Sequence, residues 1–301
     1  EVVEALRLRV DAGGQVLDVL LAPGGERLEE REAEGGLGMR IVWETQEQAL
    51  HEGWPEDASD AVDLVALSSI PLDQKLPDGG RTLRRLVLEV QGPEALNALL
   101  TAAHGDRWDP TTRRLTLLRT DPTGAASYPL PTQDRELAPW LAASPFLQSD
   151  DPRILRMAGQ ILGDRLDAVA AAEVLGAWVH TNVSKVPVAG IPSALEILES
   201  RRGDCNEHTT LFAALARSVG LPTRLLAGIV YSESIFSDGA FYYHAWPEVW
   251  LGDRWLALDP TFGQFPADAT HLALVEGELD QQTELMAVIG RLQLSVVEAS
   301  P

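Results

Sequence analysis

The stretch from Gly203 to Gly220 constrains this chain more than any other. It holds the only cysteine, in Gly203-Asp204-Cys205-Asn206-Glu207-His208. Leu211, Phe212, Leu215 and Val219 then fall on one face at helical spacing. Asp204 fits an N-cap, and Gly220 with Pro222 behind it fits a stop. Cys205 is therefore expected on the first turn of a buried helix, where free N–H groups and the helix dipole favour a thiolate over a thiol. By itself, a lone cysteine is more often a small buried apolar residue. The surrounding chain reverses that reading.

Three strand patterns follow the helix. Residues 224–231 form an apolar run. Residues 241–250 alternate, so that Tyr242, His244, Trp246 and Glu248 point one way and Tyr243, Ala245 and Val249 the other. Leu251-Gly252 reads as a two-residue turn, after which Trp255 to Asp259 returns. Trp250 would then face Asp253, and counting along the ladder places His244 opposite Asp259, give or take a residue for a bulge. A cysteine at a helix start and a His–Asp pair on a hairpin are the parts of a thiol triad. Cys205 would attack an acyl carbon. His244 would hold the thiolate as an ion pair and later protonate the leaving group, and Asp259 would fix the imidazole tautomer. The Cys205 backbone N–H is a natural oxyanion donor.

Upstream, helices are expected over 152–162 and 166–181. A capping box at Ser193 and Glu196 starts a short helix that ends at Ser200. The first 120 residues read mostly as strands: 6–10, 16–21, 39–43, 61–67, 83–90 and 114–119, with one helix over 93–103. The acidic run 26–34 reads as a solvated loop or short helix. His51 and His104 read as ordinary surface or turn residues, His180 as a helix end and His271 as a loop residue. The expected organisation is a β-rich accessory domain over 1–120, a linker over 121–149 rich in Pro, Ser, Thr and Asp, and a catalytic domain over 150–301.

Charge and composition exclude some functions. A net charge of −21 over 301 residues argues against a nucleic-acid surface. No apolar run approaches membrane-spanning length. A single cysteine excludes an internal disulfide framework. Residue 1 is Glu, so a natural start is expected to be missing, and an extracytoplasmic location is favoured.

Four blocks carry a resemblance. They are Gly203-Asp204-Cys205-Asn206-Glu207-His208, Gly220-Leu221-Pro222-Thr223-Arg224, His244-Ala245-Trp246-Pro247-Glu248-Val249 and Trp255-Leu256-Ala257-Leu258-Asp259-Pro260-Thr261. Together they resemble the transglutaminase-like superfamily, and more narrowly its bacterial members described as candidate cysteine proteases. The resemblance covers about residues 150–277. It implies an α+β fold with a papain-like core behind the β-rich N-terminal part. It also implies a triad of Cys205, His244 and Asp259, and acyl transfer from amides to water or to an amine. A peptide or protein substrate is expected, with hydrolysis as the reaction. Protein crosslinking and a non-catalytic scaffold on the same fold are the alternatives.

Superfamily members often carry an aromatic residue upstream of the cysteine that helps hold the oxyanion. The corresponding stretch 180–185 has no Trp or Tyr. Asn182 is the candidate replacement, against a simple role in ending the helix. His208, three residues after Cys205, is expected to pack behind the triad. It could instead replace His244 as base or join a zinc site, but Cys-x-x-His alone is a weak zinc signal, and no metal or other cofactor is expected. Trp246 shares the face of His244 and is expected to shield the triad from water or to touch substrate.

Overall fold

The computed structural model describes residues 6–12, 15–23, 27–34, 40–42, 69–164, 167–186, 188, 191–233, 239–278, 285, 288 and 290–301. The first strands, β1 (Leu6–Ala12), β2 (Gln15–Leu21), β3 (Arg27–Glu34) and β4 (Arg40–Val42), form an antiparallel sheet in that order. The acidic run expected to be a loop or short helix is therefore the strand β3. Its backbone pairs with β2 on one side and β4 on the other, and ladder bonds override a charge pattern that reports only exposure. The strand expected over 61–67 and His51 lie outside the described residues.

The next elements are β5 (Ile70–Pro71), a 3-10 turn over Pro77–Gly80, β6 (Arg85–Gln91), α1 (Ala95–His104), β7 (Trp108–Asp109) and β8 (Arg114–Leu118). Leu96, Leu100 and His104 make the buried face of α1 at four-residue spacing. Then come α2 (Pro152–Leu162), α3 (Ala168–Asn182), β9 (Ser184–Lys185), α4 (Ala194–Ser200), β10 (Arg202–Gly203) and α5 (Cys205–Ser218). Asp151, Asp167 and Asp204 each accept backbone N–H bonds at the starts of α2, α3 and α5, and the expected helix limits follow from these caps. The chain closes with β11 (Thr223–Ser232), β12 (Ala240–Trp250), β13 (Trp255–Ala257), β14 (Leu272–Glu276) and β15 (Gln293–Ser300).

The fold is α+β. Its central sheet runs β13-β12-β11-β14, with β5 pairing to the start of β12. One core lies among α2, α3, α4 and α5 and reaches Leu225, Val249 and Leu256 of the sheet. A second core joins Leu86, Leu88, Leu100 and Leu115 to Ile229, Phe241, Leu272 and Leu294. Residues 70–118 thus share a core with the last third of the chain, and β15 pairs with β6 to complete their sheet. The segment 121–149 also packs closely. Tyr128 donates to the Trp250 carbonyl at 3.0 Å, and Leu130 and Leu147 enter the helical core. Among the described residues, no helix is long and apolar enough to cross a membrane.

Candidate active site

Cys205 begins α5, and its position follows from the cap. The Asp204 side chain accepts from Asn206 N at 3.2 Å, and Glu207 Oε2 accepts from Asp204 N at 2.8 Å, a reciprocal capping box. The box folds Glu207 back over Gly203, where an added Cβ would lie 2.2 Å from Glu207 Cβ, so only glycine fits. The helix start is docked on β12. Tyr243 donates from its hydroxyl to Asn206 Oδ1 at 2.9 Å, and Thr209 Oγ1 donates to the Ala245 carbonyl at 3.1 Å. The Ala245 N–H reaches the Cys205 sulfur. The thiol therefore sits beside the backbone of the residue that follows His244.

The same arrangement corrects the expectation of a resting thiolate. Burial pushes the Cys205 thiol well above its ordinary pKa, and Asp204, Glu207 and Asp259 push it further. The Ala245 N–H opposes them only in part. The cap that creates a helix start also brings two carboxyl groups to the sulfur. Glu207 is itself raised to about 8 by burial and by Asp204.

His244 lies on β12 one residue before Ala245. The hairpin beyond it differs from the expected two-residue loop. Trp250 pairs with Trp255, so the turn spans 251–254, and the ladder ends at Glu248↔Ala257. Asp259 reaches His244 because the chain bends after β13. Asp259 and Gln264 exchange two backbone bonds of 2.9 Å, which turns the Asp259 side chain back towards β12. Asp259 Oδ1 accepts from Thr261 N at 2.8 Å and Phe262 N at 3.0 Å. Its Oδ2 accepts from His244 Nε2 at 2.8 Å and His271 Nε2 at 3.1 Å. Burial opposes the charge of Asp259, but the two imidazoles outweigh it and hold the carboxyl far below the usual carboxylate range. With Nε2 bonded to Asp259, Nδ1 is the basic nitrogen of His244. The His244 ring stacks on Phe262 at 4.8 Å, and the Arg81 guanidinium lies 4.9 Å from the centre of the same Phe262 ring.

The structure joins His244 to Asp259 and sets Cys205 beside Ala245, the residue after His244. Trp246 joins them as a wall. It is 1% exposed, nearly parallel to His244 at 6.2 Å and edge-on to His271 at 5.0 Å, which fits shielding rather than substrate contact. His208 is fully buried, its Nδ1 donating to the Asp204 carbonyl at 2.6 Å one turn back. Burial lowers its pKa, so it packs as a neutral ring behind the cysteine turn.

Asn182 is engaged at the end of α3. Its Nδ2 donates to the Trp178 carbonyl at 2.8 Å, and the side chain is exposed on the outside of α3 with Trp178 and Thr181. The amide spends one of its two N–H donors on the helix end. Asn182→Ala should therefore leave kcat within about twofold and cost on the order of 0.5 kcal/mol in stability, read from parallel kinetics and urea melts.

Three histidines read as ordinary hold structural places. His104 is buried rather than at the surface, bonding the Ala273 carbonyl through Nε2 at 2.8 Å. His180 ends α3 as expected, and its Nδ1 lies 3.1 Å from the Pro260 carbonyl, pinning the turn that carries Asp259. His271 is buried against Asp259 itself. No local signal marks His271, since the contact depends on pairing between distant strands. Among the described residues, His244, Asp259 and His271 form the one cluster with metal-ligand spacing, their atoms lying within 4.8 Å of one another. Those atoms are already joined by bonds of 2.8 and 3.1 Å, which leaves no cradle for an ion. Neither Cys205 nor His208 belongs to the cluster.

A cysteine at a capped helix start and a buried imidazole–carboxylate pair beyond it are the parts of a thiol active site. Residues 156–260 match the model of the transglutaminase-like superfamily. No curated protein matches the chain. Similar solved structures include a candidate cysteine protease from Cytophaga hutchinsonii, at 19% identity over 56% of this chain and 55% of that one, with a TM-score of 0.41. The periplasmic domain of TgpA from Pseudomonas aeruginosa is 16% identical over 67% of this chain and 91% of its own, with a TM-score of 0.38. A red sea bream transglutaminase is 13% identical over 88% of this chain and 44% of its own, with a TM-score of 0.28. The chain thus spans about half the length of the first of these, 55%.

Proposed function

We propose that the protein catalyses thiol-dependent acyl transfer on peptide or other amide bonds, with water as the usual acceptor. The observation that supports this most is the buried 2.8 Å bond from His244 Nε2 to Asp259, one residue from the Ala245 amide that reaches the Cys205 thiol. Asp259 keeps the proton on Nε2, so Nδ1 can take the thiol proton as sulfur attacks the acyl carbon. Burial and the nearby carboxylates favour the thiol over the thiolate, so His244 acts as a general base during attack rather than as half of a standing ion pair. The Cys205 backbone N–H then faces the developing oxyanion. The imidazolium, stabilised by Asp259, returns its proton to the leaving amine. Water activated by His244 hydrolyses the thioester and regenerates the thiol. An amine that reaches the thioester first would give transamidation instead.

The test uses a peptidyl acyloxymethyl ketone, which alkylates a thiol held where an acyl carbon would bind. Labelling is expected at Cys205, located by mass spectrometry. Absence of labelling in folded protein would count against a working site. With iodoacetamide, the rate should keep rising past the free-thiol pKa of about 8.5. A flat rate across neutral pH would instead reveal a resting thiolate and remove the general-base step.

A further inference from the structure

Behind His244, residues 259–271 close a ring of polar contacts that the proposed reaction leaves unused. His271 Nε2 bonds Asp259 Oδ2 at 3.1 Å, and its Nδ1 faces Asp268, with Oδ1 at 3.3 Å and the backbone carbonyl at 3.2 Å. Both nitrogens thus face groups that can only accept, so both bonds form together only on a doubly protonated ring. Asp268 is braced in turn. Its Oδ1 accepts from Thr270 N at 2.9 Å and Thr270 Oγ1 at 2.6 Å, and its Oδ2 accepts from Gln264 Nε2 at 2.8 Å. Asp268 N donates to Gln264 Oε1 at 2.9 Å, and the Gln264 backbone pairs with Asp259. The side chains of Asp259, Asp268 and His271 are no more than 5% exposed, and charges so buried persist only when paired.

The backbone is shaped for this contact. Gly228 pairs with His244 on one side and with Ala273 on the other, where the register skips Leu274 of β14. A Cβ on Gly228 would lie 2.0 Å from the Leu272 carbonyl oxygen. Glycine at 228 therefore lets the chain beside His271 close on β11, whose other neighbour is the strand that carries His244.

The geometry points to His271 as a positioning residue, an imidazolium braced by Asp268 that holds the Asp259 carboxylate and sets the basicity of His244. This rests on the role of His244 as base. The other titratable groups around His271 do not supply the charge. The His244 ring lies at 6.0 Å. Across a cavity of about 780 Å³ stand His104, Arg107, Arg224, Glu248 and Glu276. Arg224 is paired with Glu248 and Glu276, and burial lowers His104 to about 4, which keeps it neutral. Burial also opposes the charge on His271, yet Asp259 and Asp268 raise it to about 9, while Asp268 stays near 2.

A positive charge at His271 opposes a second proton on His244. Removing it leaves the full charge of Asp259 acting on His244. His271→Gln, which keeps a neutral donor towards Asp259, should move the acidic limb of peptidyl acyloxymethyl ketone inactivation up by about one to two pH units, the scale of one charge at this range. Nitrogen-15 NMR of the histidines supplies a readout free of activity. In wild-type protein at pH 7, His271 is expected to be doubly protonated, a measurement that needs no variant. In Cys205→Ala protein, the titration midpoint of His244 should rise by the same shift when His271→Gln is added. A singly protonated His271 at pH 7, or an unmoved His244 midpoint, would overturn the assignment. Failure of the triad reading would look different, since Cys205→Ala would then retain turnover while the histidine titrations still decide the role of His271.

Discussion

Cys205→Ala should remove about 10⁶-fold of kcat on any amide that the wild-type protein cleaves, the scale known for loss of a covalent nucleophile. Without sulfur there is no thioester, and His244 and Asp259 have no attacking group to serve. Whatever rate persists comes from binding and oxyanion contacts, which alone can give about 10³–10⁴-fold over water. The fold should survive. Alanine suits a first helical turn, and the cap at Asp204 and Glu207 involves no atom of the Cys205 side chain. The main structural loss is the sulfur that the Ala245 N–H reaches, worth about 1 kcal/mol. Urea melts beside turnover assays separate these effects. Retained turnover in a folded variant would reject the thiol mechanism. A wild-type protein that cleaves no amide, yet binds a peptide equally well with and without the Cys205 side chain, would favour the scaffold reading.

What the sequence reveals here divides along the range of the interactions. The helix at Cys205 is readable because its cap and apolar face lie within its own turns. Ser193 and Glu196 announce α4 for the same reason. The alternation around His244 is readable because strand period two needs no knowledge of a partner. The fold class follows from these patterns and from the resemblance they carry. Pairing between distant segments leaves no such mark. No local pattern says that β15 returns to β6, or that residues 70–118 share a core with the end of the chain. The acidic strand β3 misleads because charge reports solvent exposure, while strand formation depends on neighbours above and below. His271 and Asp268 carry no local mark either, since their place depends on how residues 259–271 fold back through Gln264. The thiol's electrostatics also escape the sequence. The helix dipole is implied by one segment, whereas burial and the nearby Asp259 come from the assembled fold.

Asp259→Asn should lower kcat by about 10⁴-fold while leaving the three side chains near one another, the magnitude seen when a triad carboxylate becomes an amide. The reason lies in the four bonds Asp259 accepts. Thr261 N and Phe262 N fill Oδ1, while His244 and His271 fill Oδ2. Asparagine has one oxygen, and two backbone N–H groups hold it in place, so its NH₂ turns towards the imidazoles. His244 Nε2 must then accept, which moves its proton to Nδ1, the nitrogen needed to take the proton from Cys205. The ring is left in the wrong tautomer and, once protonated, lacks a carboxylate to stabilise it. His271 also loses an acceptor at Nε2, so stability should fall by about 1–3 kcal/mol. Three measurements distinguish this chain of effects from simple unfolding. Thermal melts should show a cooperative transition at reduced temperature. Nitrogen-15 shifts should place the His244 proton on Nδ1 in the variant and on Nε2 in the wild type. The rate of alkylation by the peptidyl ketone should fall with kcat, whereas denatured wild-type and variant proteins should react with iodoacetamide at equal rates. A folded variant whose His244 keeps the Nε2 proton and whose kcat falls less than about tenfold would show that Asp259 holds the loop together without directing the base.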